Sequence, residues 1–218
     1  MTNEFNNMEQ QERKKRSEEI ILSESININP YLPYIESSQE VKIRGTEEVA
    51  LRALCLIVVA VKAEGLEQDI IDEIVDMYQL KEHFTPDETS FINSSSISEH
   101  DKIQKIWRYE SAWTLLWALG YVESLGTPDI ICDAGYACSL MKERTLEEFI
   151  AESELRSIDK ILDQSDLIYR YHWAVVNARL QGQRLQQIDS SVVYERHYAL
   201  NWLTNYCDQE WDDISTDT

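Results

Sequence analysis

The chain has 218 residues, with 40 acidic side chains against 20 basic ones and a formal net charge of −20. Hydrophobic residues make up 43% and aromatic residues 10% of it, which supplies a real core and argues against a disordered chain. Such a charge repels both a polyanion and an anionic bilayer surface, so neither nucleic acid nor membrane is an expected partner.

Residues 1–10 are polar and lack the apolar stretch of a secretory signal. Residues 8–21 read as a helix with the basic cluster Arg13-Lys14-Lys15-Arg16 beside Glu9, Glu12, Glu18 and Glu19, an ion-paired helix surface. Residues 26–40 contain Asn-Pro and Leu-Pro steps and read as an extended arm. Thr46 reads as the N-cap of the next helix, with Glu47 and Glu48 in its first turn and Gly65 at its end. Residues 49–61 are apolar nearly all round, which places this helix in the core. Their longest apolar run, residues 53–61, is too short to span a bilayer.

Residues 66–80 carry Ile70, Ile71, Ile74, Val75 and Tyr78 on one stripe and acids on the other. Thr85-Pro86-Asp87-Glu88 and Thr145-Leu146-Glu147-Glu148 are capping boxes, each opening a short helix. Residues 98–119 read as one long helix stopped by Gly120, with Ile103, Ile106, Trp107, Trp113, Leu116 and Trp117 at three- and four-residue steps. Residues 126–135 read as a loop. Ser157 opens a long helix to about Leu180, and Asp189 or Ser190 opens the last one, to Asn205. The acidic tail has one large anchor, Trp211. The expected fold is all-α: a single-domain bundle of about seven or eight helices with an extended N-terminal arm and a docked acidic C-terminal tail. Residues 1–24 form an N-terminal helix and arm that could be mobile at its start, and residues 25–218 form one helical domain.

The charge is uneven. Residues 64–99 carry ten acids against Lys81 alone, and residues 207–218 carry five acids and no base. Concentrated charge gives a surface a sign and steers an oppositely charged partner. Glu67, Asp69, Asp72, Asp76, Asp212 and Asp213 are the expected partner-binding acidic surface.

Familiar catalytic motifs are missing. There is no Walker A loop, no Gly-x-Gly-x-x-Gly, no Gly-x-Ser-x-Gly and no His-Glu-x-x-His. The four cysteines, Cys55, Cys132, Cys138 and Cys207, have irregular spacing and read as reduced core residues in the cytoplasm. No cofactor is expected. The alternative is Mg²⁺ at Asp163 and Asp166, which lie about one turn apart on the face that also holds Asp159 and Arg170.

Three helices carry arginine beside aromatics and an acid: Trp107-Arg108-Tyr109-Glu110, Tyr169-Arg170-Tyr171-His172-Trp173, and Tyr194-Glu195-Arg196-His197-Tyr198, with Trp202 following. The economical account is a buried polar network of Arg108, Arg170 and Arg196 with Glu110, Glu195 and an aspartate such as Asp166, which fixes helix register. The other account is a pocket in which His172, His197 and the arginines bind an anion or act as acid and base.

These blocks, with Trp211-Asp212-Asp213, Asn29-Pro30-Tyr31-Leu32-Pro33 and Thr46-Glu47-Glu48-Val49-Ala50, resemble the bacterial domain-of-unknown-function family DUF4272 over about residues 16–218. The resemblance implies a bacterial cytoplasmic protein whose tail belongs to the domain. It implies no activity and no catalytic residue. The expected function is a non-catalytic protein-binding module, such as an acidic immunity protein neutralising a basic toxin. The alternative is a metal-assisted phosphohydrolase or nucleotide hydrolase on a helical scaffold, with Asp163 and Asp166 as ligands and His172 or His197 as acid or base. A purely scaffolding regulator is the third reading.

Overall fold

The computed structural model describes the backbone of residues 2–218 and the side chains of residues 7–218. Helices in chain order are α1 (Thr2–Ser23), α2 (Thr46–Glu64), α3 (Gln68–Met77), α4 (Pro86–Ile92), α5 (Glu99–Ile106), α6 (Arg108–Ala118), α7 (Ala134–Lys142), α8 (Leu146–Glu152), α9 (Ile158–Leu180) and α10 (Ser190–Leu203). Short 3₁₀ turns follow α3 and close the tail. Among the described residues there is no strand, and no helix is long and apolar enough to cross a membrane.

The bundle is organised as a row. α2 packs on α6, α6 on α10, α10 on α9, and α9 on α1. α2 is the apolar end of this row. Val49, Ala50, Ala53, Leu54, Cys55, Leu56 and Val59 are fully buried in it, as the apolar run requires. Each of the valine and leucine side chains among them contributes about 2 kcal/mol on leaving water. Gly65 ends α2 with φ +101°, a left-handed conformation that costs glycine nothing, and its N–H closes on the carbonyl of Lys62. Residues 24–45 then have a geometric reason to form a long arm, because they join α1 at one end of the row to α2 at the other. The arm is fastened along its course. Gln10 Nε2 donates to the Ile35 carbonyl, Lys14 Nζ to those of Pro30 and Leu32, and Arg44 to those of Trp202 and Gln209.

Both capping boxes form as the sequence predicts, with Thr85 and Thr145 accepting from the N–H groups of Glu88 and Glu148. Four expectations change. Gly45, not Thr46, occupies the N-cap of α2. The helix expected over 98–119 is divided at Trp107 into α5 and α6, and this turn leaves Ile103 and Ile106 exposed. The loop expected over 126–135 ends early, because the Asp133 carboxylate accepts the Tyr136 N–H at 2.8 Å and starts α7. Of the four cysteines only Cys55 is buried; Cys132 and Cys138 are half-buried and Cys207 is exposed.

The basic cluster of α1 is also more than a surface. Arg13 is 1% exposed and reaches Glu9 on its own helix and Asp159 and Asp163 on α9, while Lys14–Glu18 and Lys15–Glu19 are further pairs within α1. Ile21 joins the common core, so α1 is packed into the same body as residues 25–218. The expected mobility at the start falls on Met1 and its neighbours' side chains, outside the described residues.

The tail is anchored by Trp211, as expected. It is 3% exposed, meets Tyr198 and Trp202 edge-on at ring distances of 5.0 and 5.5 Å, and its carbonyl accepts the Tyr198 hydroxyl. Replacing Trp211 by Ala should cost about 3–5 kcal/mol in urea unfolding, the usual range for a buried aromatic. A loss below about 1 kcal/mol would show that the tail adds little to the core.

Candidate functional site

The three arginine–aromatic blocks fall on α6, α10 and α9, which are successive members of the row. α10 lies between the other two. Val192, Val193, Glu195, Arg196, His197, Tyr198, Ala199, Leu200, Trp202 and Leu203 are all buried on it, so its polar residues must find partners inside the protein. Toward α6, Glu195 accepts from Arg108 at 3.0 Å and from the Ser111 hydroxyl at 2.5 Å. Arg196 donates to the Gly126 carbonyl and stands 3.9 Å from Glu110, which also accepts the Cys132 N–H. Burial pushes the Glu110 and Glu195 carboxyls above their ordinary range, against the pull of the facing arginines.

Toward α9, His197 meets His172 with Nδ1 to Nδ1 at 2.8 Å. One ring donates and the other accepts, so the contact requires opposite tautomers and at least one neutral ring. Burial lowers His172 to about 4, with Arg179 adding to the effect, and lowers His197 to about 3, with His172 adding to it. Both rings are therefore neutral at pH 7. Farther along the row, Asp166 takes Arg170 at 2.6 and 2.9 Å, and both are at most 2% exposed. Arg170 also faces Glu18 of α1 at 3.9 Å. Asp163 is held by Arg13 and Arg16 at 3.1 and 2.7 Å.

The geometry therefore brings the sequence-selected polar residues together as arginine–carboxylate pairs and one histidine pair. Tyr169 lies 6.0 Å from His197, Trp173 packs half-buried on the core, Trp107 is half-buried at the α5–α6 turn, and Trp202 lies under the Arg44 guanidinium at 4.6 Å. Asp163 and Asp166 do not converge on a shared open space. Asp166 is turned onto Arg170, and Asp163 onto Arg13 and Arg16. Among the described residues, no group of three His, Cys, Asp or Glu side chains is placed to hold a metal.

A different place has the geometry of an open site. A cavity of about 970 Å³ lies between the start of α2, the segment entering α4, and the tail. Leu51, Phe84, Trp202 and Trp211 line it together with five carboxylates: Glu47, Glu48, Glu210, Asp212 and Asp213. The one arginine on its wall, Arg52, is buried and paired with Glu88 at 2.5 Å. Arg44 approaches Glu48 at 2.5 Å and Glu210 at 3.6 Å, so part of this charge is compensated. The two acidic segments of the sequence meet here, where the Asp87 N–H donates to Asp212 at 3.2 Å. Asp212 and Asp213 are thus at the groove, while Glu67, Asp69, Asp72 and Asp76 are exposed along α3 and do not line it. Sequence reasoning missed Glu47, Glu48 and Glu210 as groove residues. In the sequence, Glu47 and Glu48 are fully accounted for by the helix dipole, and only the Trp211 anchor hints that the tail returns to them.

Two measurements check this description. Asp166→Asn should destabilise the fold by about 3 kcal/mol or more, because it removes the close carboxylate of a buried guanidinium, and Asp163→Asn by less than about 1 kcal/mol. Equal losses in chemical denaturation would contradict the assigned burial. The histidines give a pH signature. Their folded values lie below the ordinary 6.5, so the folded protein binds fewer protons than the unfolded chain. Their contribution is full above about pH 6.5 and falls as the pH drops toward about 4. The stability difference between wild type and His197→Gln should shrink over that window by on the order of 2 kcal/mol. A difference that stays constant with pH would contradict the neutral buried pair.

Neither the curated proteins nor the solved structures include a match to this chain. The model of the family described as Domain of unknown function (DUF4272) matches residues 13–214, a span running from the buried Arg13 of α1 to Ile214 beyond the tail anchor, and the chain belongs to that family.

Proposed function

We propose that this protein is a non-catalytic binding module that takes a basic segment of a partner protein in the acidic groove beside Trp211. The observation that carries this reading is the convergence of Glu47, Glu48, Glu210, Asp212 and Asp213 from two chain segments far apart in sequence around one cavity with an apolar floor. Apolar walls lower the local dielectric and strengthen the attraction of these carboxylates for a cation. Phe84, half-buried on the wall, provides contact area for the aliphatic stems of lysine or arginine. The paired state of Asp163, Asp166, Glu110 and Glu195 supports the same reading from the other side, because these acids are already committed to arginines. An immunity-type role, in which the basic partner is a toxin, suits the size and charge of the chain. In that role a cytoplasmic bacterial protein would mask a basic surface by occupying it.

A charge-matched comparison tests the proposal. An octa-arginine peptide binds the wild type, and its affinity is measured at low and at physiological salt. Removing three groove charges, with Glu47→Gln, Asp212→Asn and Asp213→Asn, should weaken binding about tenfold and flatten its salt dependence. Removing three charges from α3, with Glu67→Gln, Asp72→Asn and Asp76→Asn, should change it by less than about threefold. Equal losses in the two variants would mean that only the overall charge attracts the peptide, and the groove reading would fail.

A further inference from the structure

A second cavity, of about 450 Å³, is opposite in character. It lies between the α5–α6 turn, the last turns of α9 and the start of α10. Its walls include the arginines Arg179 and Arg184. These two stand apart from every other arginine described. Arg13, Arg16, Arg44, Arg52, Arg108, Arg144, Arg170 and Arg196 each face a carboxylate. Arg156 is bonded to the carbonyls of Trp117, Val122 and Glu123. Among the described residues, Arg179 and Arg184 have neither kind of partner. Arg179 lies in the last turn of α9, where the helix dipole favours a cation, but that argument does not reach Arg184 in the loop beyond.

The rest of the wall suits a ligand with a body and a charged end. His172 lines the cavity and is only 8% exposed. Its Nδ1 is taken by His197, so Nε2 is the ring atom left to meet a ligand. Ser190, Ser191 and Gln104 add neutral donors. Trp107, Tyr194, Leu185 and Ile188 supply aromatic and apolar surface, and Tyr194 stands edge-on to His172 at 6.0 Å. The carboxylate on this wall, Glu195, is occupied by Arg108 and Ser111 and turned into the α6 interface. We infer that this cavity binds a small organic anion, with an aromatic or apolar body against Trp107 and Tyr194 and a phosphate or carboxylate head between Arg179 and Arg184. Two guanidinium groups give such a head planar, charge-assisted hydrogen bonds, and the neutral imidazole of His172 adds a further donor or acceptor without repelling the arginines. The cavity volume falls in the range of ordinary small-molecule sites. This site is independent of the acidic groove and does not require a protein partner.

Phenyl phosphate is a suitable probe, because it combines one ring with one phosphate. Calorimetric titration should show saturable binding of phenyl phosphate, weaker binding of inorganic phosphate, and none of phenol. The double variant Arg179→Ala/Arg184→Ala should lose at least tenfold in affinity. Both side chains are exposed, so the variant is expected to keep the wild-type helical circular dichroism. A control removing two exposed lysines elsewhere, Lys142→Ala/Lys160→Ala, should bind as the wild type does. Shifts of the His172 ring signals on titration would place the probe. Absence of saturable phenyl phosphate binding, undiminished binding in the arginine variant, or an equal loss in the lysine variant would each overturn the inference.

Discussion

A helix buried on almost every side cannot leave a charged residue without a partner, and α10 is such a helix. Its run Glu195-Arg196-His197 places three polar side chains at steps of about 100° around the axis, so no single neighbour can satisfy all of them. α6 meets the first through Arg108 and Ser111 and stands near the second through Glu110. α9 meets the third through His172. A slip of one residue turns every side chain by about 100°, so besides misplacing the apolar face it would strand a guanidinium or a carboxylate in the interior. The row α6–α10–α9 is thereby fixed in register, and Arg170 with Asp166, Glu18 and the Arg13 cluster extends the same device to α1.

This ordering explains where the open sites lie. The ion pairs consume the polar residues at the centre of the row and leave the margins to differ. At the α2 end, helix start and returning tail bring carboxylates together around an aromatic wall. At the last turn of α9 and in the loop leading to α10, two arginines are left over. A molecule with a net charge of −20 therefore carries a cavity of each sign, and the overall figure describes neither.

Much of this was legible in the sequence, for reasons that can be named. The capping boxes at Thr85 and Thr145 are local, so their geometry follows from four residues. The apolar run of α2 declares its burial because no face of it could meet water. Arginine beside aromatics and an acid on three helices announced a buried network, and the structure places Arg108, Arg170 and Arg196 in it. What the sequence could not supply was pairing across distance. Nothing near Glu195 marks Arg108 as its partner, and nothing near Arg13 marks Asp163. The turn at Trp107 was hidden for a different reason: no glycine or proline marks it, and the apolar spacing runs through it unbroken. Asp133 misled in the opposite sense, since the same residue type that punctuates loops also caps helices.

The packing of α1 on α9 has a consequence for how the molecule comes together. α1 is made well before α9, yet its partners Asp159 and Asp163 and its packing surface belong to that helix, more than a hundred residues later. Closing that contact carries a large loop entropy, which slows formation of the row relative to a bundle of sequential hairpins. Until α9 exists, α1 is a polar segment with Arg13 and Ile21 unsheltered, attached through the arm to a body that is already forming around α2. During synthesis it is a segment in waiting, and the acidic face of α9 is what ends the wait.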